Sequence, residues 1–251
     1  MLTVDAMKTK YLVKFLNRAA HFEADIELVD VLAIASGSGA LSAGGGNLLF
    51  DAVNPAQHPR LAKRKSNDHN RRLAVRHLKA SLCASYVKDL YEDFGKYMQD
   101  VLEAAARGGL NPNRLIGSHK INVEANDLLA AGNWDAVVHM VAKSLFRKLE
   151  DERNTKSLIQ AMDAKLGLGI DQPTLDAALP YFELRHLLVH HDGVADQDFC
   201  QRFPAFGAAA GKKISVEFGV VASARATVVA LANEFDAKVI QHQVVPRSDC
   251  Q

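Results

Sequence analysis

Residues Arg71–Arg107, RRLAVRHLKASLCASYVKDLYEDFGKYMQDVLEAAAR, decide the fold. Leu78, Leu82, Tyr86, Leu90, Phe94 and Val101 recur at helical spacing. The run contains no proline, and Gly108-Gly109 ends the pattern. At 1.5 Å per residue such a helix is roughly 50 Å long, which makes it a scaffold beam. Lys88, Asp89, Glu92, Asp93 and Lys96 fall on its polar side, where charges are usually solvated.

Upstream, residues 7–20 place Met7, Tyr11, Leu12 and Phe15 at helical spacing, and Glu23–Ile34 predicts a second helix with Leu28, Val31 and Leu32 inward. SGSGALSAGGGN (Ser36–Asn47) breaks the pattern. A phosphate-binding loop needs a Lys-Ser/Thr pair after its last glycine; Asn47 and Leu48 follow Gly46, so this reads as a flexible loop. Residues 57–77 then carry seven Lys/Arg against one Asp. Such a block is either a solvated lead-in to a helix or a phosphate contact through Lys63, Arg64, Lys65, Arg71 and Arg72.

Downstream, a loop around Asn111-Pro112 precedes weaker helices at 121–131 and 134–150, the second with Trp134, Val137, Val138, Val141, Leu145 and Leu149 as its stripe and His139 off its centre. Asn154 or Thr155 can cap a helix that stops at Gly167. The next starts near Pro173 and should kink or restart at Pro180. Lys213–Phe218 alternates Ile214, Val216 and Phe218 inward as a short extended piece, and Val220–Ile240 is a final amphipathic helix. The expected fold is all-α, a helical bundle with one long scaffold helix and at most a short β segment near 213–218. Residues 1–56 read as an N-terminal helical extension with a glycine-rich loop, and 57–251 as the main helical domain.

Composition narrows the function classes only a little. Thirty basic against 29 acidic residues leave a net charge of +1, so any nucleic-acid surface must be local. Cys83, Cys200 and Cys250 lack metal-type spacing and read as reduced thiols. The first twenty residues alternate charge with apolar side chains, unlike a signal peptide, and no run approaches the roughly 18 apolar residues of a membrane span. The expected location is the cytoplasm, with no membrane contact.

Chemistry concentrates in Tyr181–Gly193, YFELRHLLVHHDG. Metal-free RNA cleavage needs a base for the 2′-hydroxyl, an acid for the leaving 5′-oxygen and a cation at the phosphorus. Histidine titrates near neutrality, and arginine offers a planar fork of donors. His186 and His190 share a helix face, whereas Arg185 and His190 lie about 140° apart at 3.6 residues per turn. They converge if the arginine curls, if the helix loosens near its end, or if a second subunit completes the site. A plainer account makes these residues helix-end caps and surface pairs. A metal account uses His186 and His190 with Asp192, but the zincin pattern wants glutamate where Leu187 stands. No metal and no cofactor is expected.

Arg185, polar His186 and His190 match in order and spacing the Arg-polar-x3-His motif of the HEPN superfamily of helical nucleotide-binding domains. With His190–Asp196 and the final helix, the chain resembles prokaryotic HEPN members of toxin and antiviral-defence systems over roughly Arg71–Ile240. Residues 1–56 have no counterpart in that resemblance. It implies a metal-independent endoribonuclease acting on RNA, a homodimer with its site between subunits, and control by an antitoxin or defence partner. Arg185 would stabilise the transition state, His190 would do acid–base work and His186 would position phosphate, with His191 and Asp192 nearby. An early-helix acid would come from Asp89 or Glu92. The family often has asparagine after the arginine, where this chain has His186. Some members only bind nucleotide, RNA or a partner protein, so a non-catalytic dimerising module is the alternative.

Overall fold

The structure is a computed structural model, and it describes residues 7–151 and 154–251. The described residues form an all-α protein with no sheet. Residues 1–6, over which the leader reading begins, lie outside the described residues. In chain order the helices are α1 (Lys10–Gly37), α2 (Pro59–Ala62), α3 (Asp68–Arg107), α4 (Pro112–Ile116), α5 (Ala125–Ala130), α6 (Trp134–Glu150), α7 (Thr155–Leu166), α8 (Gln172–His190), α9 (Gln197–Arg202) and α10 (Phe218–Gln241).

The beam is α3, forty residues capped by the Asn67 side chain, which accepts from the Asn70 N–H, and closed at Gly108. Tyr86, Leu90, Phe94 and Val101 are buried as their spacing predicts. Leu78 is not; 48% of its surface is exposed.

α1 runs antiparallel along this beam, and the contacts Arg18–Asp93, Asp30–Lys79 and Ser36–Arg71 step along the two helices in opposite directions. It is one helix where the sequence predicted two. The correction has a plain cause: Phe15, Ala19, Phe22, Ile26, Val29, Ala33 and Ser36 follow one unbroken 4-3 rhythm, which turns a single seam toward α3. Leu28, Val31 and Leu32, expected inward, are off that seam and exposed, and Met7 is exposed before the helix begins.

The glycine stretch that follows is a set of turns with defined bonds. Asp51 accepts from the Gly44 N–H, the Ser42 hydroxyl donates to the Leu49 carbonyl, and Leu49 is fully buried.

α6, α7, α8 and α10 pack around the C-terminal half of α3. Phe94 stacks on Phe182 of α8 with centroids 5.6 Å apart, and Tyr97 meets Phe235 of α10 edge-on at 5.9 Å. Trp134 departs from its predicted place in the α6 stripe and is 75% exposed. The Asn111-Pro112 loop carries the short helix α4. α8 runs through Pro180 as one element; Asp176, whose carbonyl loses a helical donor there, is solvent-exposed.

Residues 213–218 contribute an isolated bridge, Val194 to Lys213, and the Ile214 N–H donates to the Gly193 carbonyl. Val216 is buried, but Phe218 opens α10 and is 40% exposed. A second bridge, Thr9 to Cys250, ties the start of α1 to the far end of the described chain.

α10 is, among the described residues, long and apolar enough to cross a membrane by length and composition. Its Leu231, Phe235 and Val239 side lies in the core. Its Asp236 is 1% exposed and accepts from the Thr9 N–H, the Thr9 hydroxyl and the Tyr97 hydroxyl. Burial raises the Asp236 carboxyl above the usual range, against the lowering effect of those three bonds.

Candidate functional site

The site grows from Phe182. Its ring is fixed between Tyr91 and Phe94 of α3, 5.6 Å from each, and is 3% exposed. Three and four residues further along α8 come Arg185 and His186, so the anchored phenyl ring sets where both side chains leave the helix. His190, four residues beyond His186, is the last residue of α8. The rings of His186 and His190 are 4.7 Å apart, and His191 sits 5.6 Å from His186.

Arg185 does curl. Its guanidinium lies over the Tyr91 ring, 4.3 Å from the centroid, and donates to Glu92 of α3. Its Nε is buried without a hydrogen-bond partner among the described residues. Arg185, His186 and His190 thereby line one cleft of about 310 Å3 together with Tyr91, Phe182, Leu158, Glu150, Asp151, Asn154 and Thr155. The opposite wall is the C-terminus of α6 and the N-terminus of α7, where the Asn154 side chain accepts from the Ser157 N–H.

Burial lowers the His186 pKa, and the neighbouring His190, His191 and Arg185 push it the same way, while Glu183 opposes. The shift favours the neutral ring, which can accept one hydrogen bond and donate another. Glu150 moves the other way: burial and the nearby Glu92 raise its carboxyl pKa, and Arg185 offsets part of that.

Past His190 the chain turns sharply. The N–H groups of His191 and Gly193 both donate to the Leu187 carbonyl, closing the helix end. Gly193 takes φ +74°, and Asp192 takes φ 52° without being glycine. Non-glycine residues rarely adopt that left-handed conformation, and its cost is of order 1 kcal/mol, held here by the bonds on either side.

The other sequence candidates divide. Glu92 reaches the site as the partner of Arg185. Asp89 does not line the cleft; it lines a separate groove with Arg18, His21, Phe22, Asp25, Glu92 and Asp93. Burial, Asp93 and Glu92 raise its pKa. Lys63, Arg64, Lys65, Arg71 and Arg72 lie at the other end of α3, and Arg72 is twenty residues from Glu92, about 30 Å along the helix axis. Within one chain they do not reach the cleft.

Tyr91, Glu150 and Asp151 are cleft residues that the sequence did not single out. Tyr91 was hidden one position off the apolar stripe of α3, and the acids sit at the far end of a helix that shows no link to α8 until the chain is folded. Among the described residues no three His, Cys, Asp or Glu side chains converge as metal ligands, and His186 and His190 have no third such partner.

Compared with family models, with curated proteins and with solved structures, the chain finds no match.

Proposed function

We propose that this protein is a metal-independent endoribonuclease of the HEPN type. The observation that carries the reading is the meeting of Arg185, His186 and His190 in one cleft large enough to admit a nucleotide phosphate and its ribose. In the reaction, a base takes the proton of the 2′-hydroxyl, and O2′ attacks phosphorus. The P–O5′ bond breaks, and an acid returns a proton to the leaving 5′-oxygen, which leaves a 2′,3′-cyclic phosphate.

His190 does the acid–base work at the open end of α8. Arg185 meets the charge that builds on the phosphoryl oxygens, for which the guanidinium fork is suited. His186, whose surroundings favour the neutral ring, orients the phosphate or the His190 ring. Lys63, Arg64, Lys65, Arg71 and Arg72 track the RNA backbone. The protein works as a cytoplasmic homodimer in a toxin or phage-defence setting, with an antitoxin or defence protein as its regulator.

The test is cleavage of mixed RNA in EDTA. Wild type cleaves, and Arg185→Ala and His190→Ala each lose about 10²–10⁴-fold in rate while keeping their helicity. Loss of wild-type cleavage in chelator would overturn the mechanism.

A second reading, a non-catalytic module that binds RNA, nucleotide or a partner protein, is favoured by one observation. Glu92 already compensates Arg185, so the cation is engaged before any substrate arrives. Silence of wild type and both variants on RNA, with RNA or nucleotide binding retained, would select it.

A further inference from the structure

In-line attack on an RNA phosphodiester sets the entering O2′ and the leaving O5′ on opposite sides of phosphorus. The group that takes the first proton and the group that returns the second therefore flank the phosphate, each about 2.8 Å from its own oxygen. His186 and His190 do not meet that requirement together. They leave one face of α8 with their rings 4.7 Å apart, so both stand on the same wall of the cleft. One of them serves one end of the reaction, and the other end needs a group from across the cleft.

The opposite wall supplies Glu150, Asp151, Asn154 and Thr155. Asn154 is occupied in capping α7, the Thr155 hydroxyl donates to the Tyr91 hydroxyl, and neither side chain titrates near neutrality. Asp151 is the C-cap of α6 and has the shorter arm. Glu150 has no hydrogen bond or ion pair among the described residues, so its carboxylate is free to take a proton. It also lies within electrostatic reach of Arg185, the cation that would hold the phosphate.

We propose that Glu150 is a catalytic residue of this site, the general base for the 2′-hydroxyl, with protonated His190 as the acid on the facing wall. The inference rests on the ribonuclease reading above and divides the acid–base work given there to His190. The Glu150 carboxylate accepts the hydroxyl proton as the O2′–P bond forms. The P–O5′ bond breaks with its electron pair going to O5′, and the His190 imidazolium gives that oxygen its proton. Arg185 holds the phosphoryl oxygens between them. The step leaves a 2′,3′-cyclic phosphate, a free 5′-hydroxyl, a protonated Glu150 and a neutral His190, and exchange with water resets both residues.

The surroundings suit a base. Facing Glu150 are Glu92 of α3, Arg185, His186 and His190 of α8, and Arg147 and Asp151 from its own end of α6, while α7 gives the cleft only the uncharged Asn154 and Thr155. Burial and then Glu92 raise its carboxyl pKa, Arg185 offsets part of this, and Asp151 and Arg147 push in opposite directions. A carboxylate raised in this way is a stronger base than an ordinary glutamate. Glu150 is also solvent-exposed, so the captured proton can pass to water between turnovers.

The experiment is the pH–rate profile of the full chain on mixed RNA in EDTA, for wild type, Glu150→Gln, Glu150→Asp, Asp151→Asn and His190→Ala. Wild type is expected to be bell-shaped: kcat falls at low pH as Glu150 takes up a proton, and at high pH as His190 loses one. Glu150→Gln is expected to lose about 10²–10³-fold in kcat and the acidic limb with it, with KM within about three-fold of wild type. Glu150→Asp regains part of the rate and the limb. Ribonucleoside 3′-(4-nitrophenyl) phosphates, whose leaving group needs no proton, assign the two ends: His190→Ala approaches wild type on them and Glu150→Gln does not. The proposal is overturned by a wild-type kcat in Glu150→Gln, by an acidic limb that survives Glu150→Gln or is lost only in Asp151→Asn, or by activated esters that rescue Glu150→Gln and not His190→Ala. Any of these with wild type still cleaving RNA leaves the ribonuclease reading standing; a wild type silent on RNA overturns both.

Discussion

At the residue scale the arrangement around His186 makes the sharpest claim. Its pKa is lowered by burial first and by surrounding cations second. An NMR titration of the histidine ring protons should therefore place His186 below the ordinary histidine midpoint, and His190→Ala should move that midpoint up, because one of the lowering neighbours is gone. A His186 midpoint at or above the ordinary value would remove its role as a neutral ring. The three site side chains were legible in the sequence by type and spacing. Their convergence was not, since an ideal helix sets Arg185 and His190 about 140° apart. Tyr91 resolves the difference: the guanidinium sits over its ring on α3, and a long, flexible side chain covers an angle that the backbone does not.

At the element scale α8 and α3 are joined through aromatic packing. Phe182→Ala deletes a ring that touches both Tyr91 and Phe94, and should cost about 3–5 kcal/mol in urea denaturation. A cost well below that would mean the interface collapses around the gap. The α1–α3 seam supports a second expectation. Tyr86 is 1% exposed and meets Phe22 edge-on, yet its buried hydroxyl has no hydrogen-bond partner among the described residues. Burial pushes its pKa up to about 12 from 10.0. The folded state thus holds this proton more tightly than the unfolded state, so stability is full below about pH 10 and falls as pH rises toward 12. Over that window the loss is about 3 kcal/mol for this one group. Tyr86→Phe should be neutral or stabilising at pH 7, because it removes an unpaired buried hydroxyl, and should flatten the alkaline limb of a melting-temperature profile. A destabilised Tyr86→Phe would show that the hydroxyl has a water or protein partner.

At the scale of the whole molecule the hairpin of α1 and α3 leaves Leu28, Leu32 and Leu78 exposed to solvent. The clasp of Thr9 by Asp236, with the Thr9–Cys250 bridge, joins the two ends of the described chain across α10. Asp236→Ala removes three accepted hydrogen bonds at a site 1% exposed, and should cost about 2–4 kcal/mol; a thermal shift of only a degree would show that the clasp is dispensable.

The sequence by itself determined the all-α class, the approximate span of the long helix, its Gly108 stop, a cap at Asn154 or Thr155 (the structure uses Asn154) and the Gly167 stop, since apolar periodicity and capping chemistry act within a few residues. It also marked Arg185, His186 and His190 as the chemistry-bearing group. Only the tertiary structure decided that α1 is one helix, that Leu28, Leu32 and Leu78 face solvent, and that Glu92 rather than Asp89 meets Arg185. The physical reason is that an apolar side chain at helical spacing is equally suited to a core and to an uncovered face. Which of these it becomes depends on whether another element arrives to cover it, and that is a property of packing rather than of the local chain.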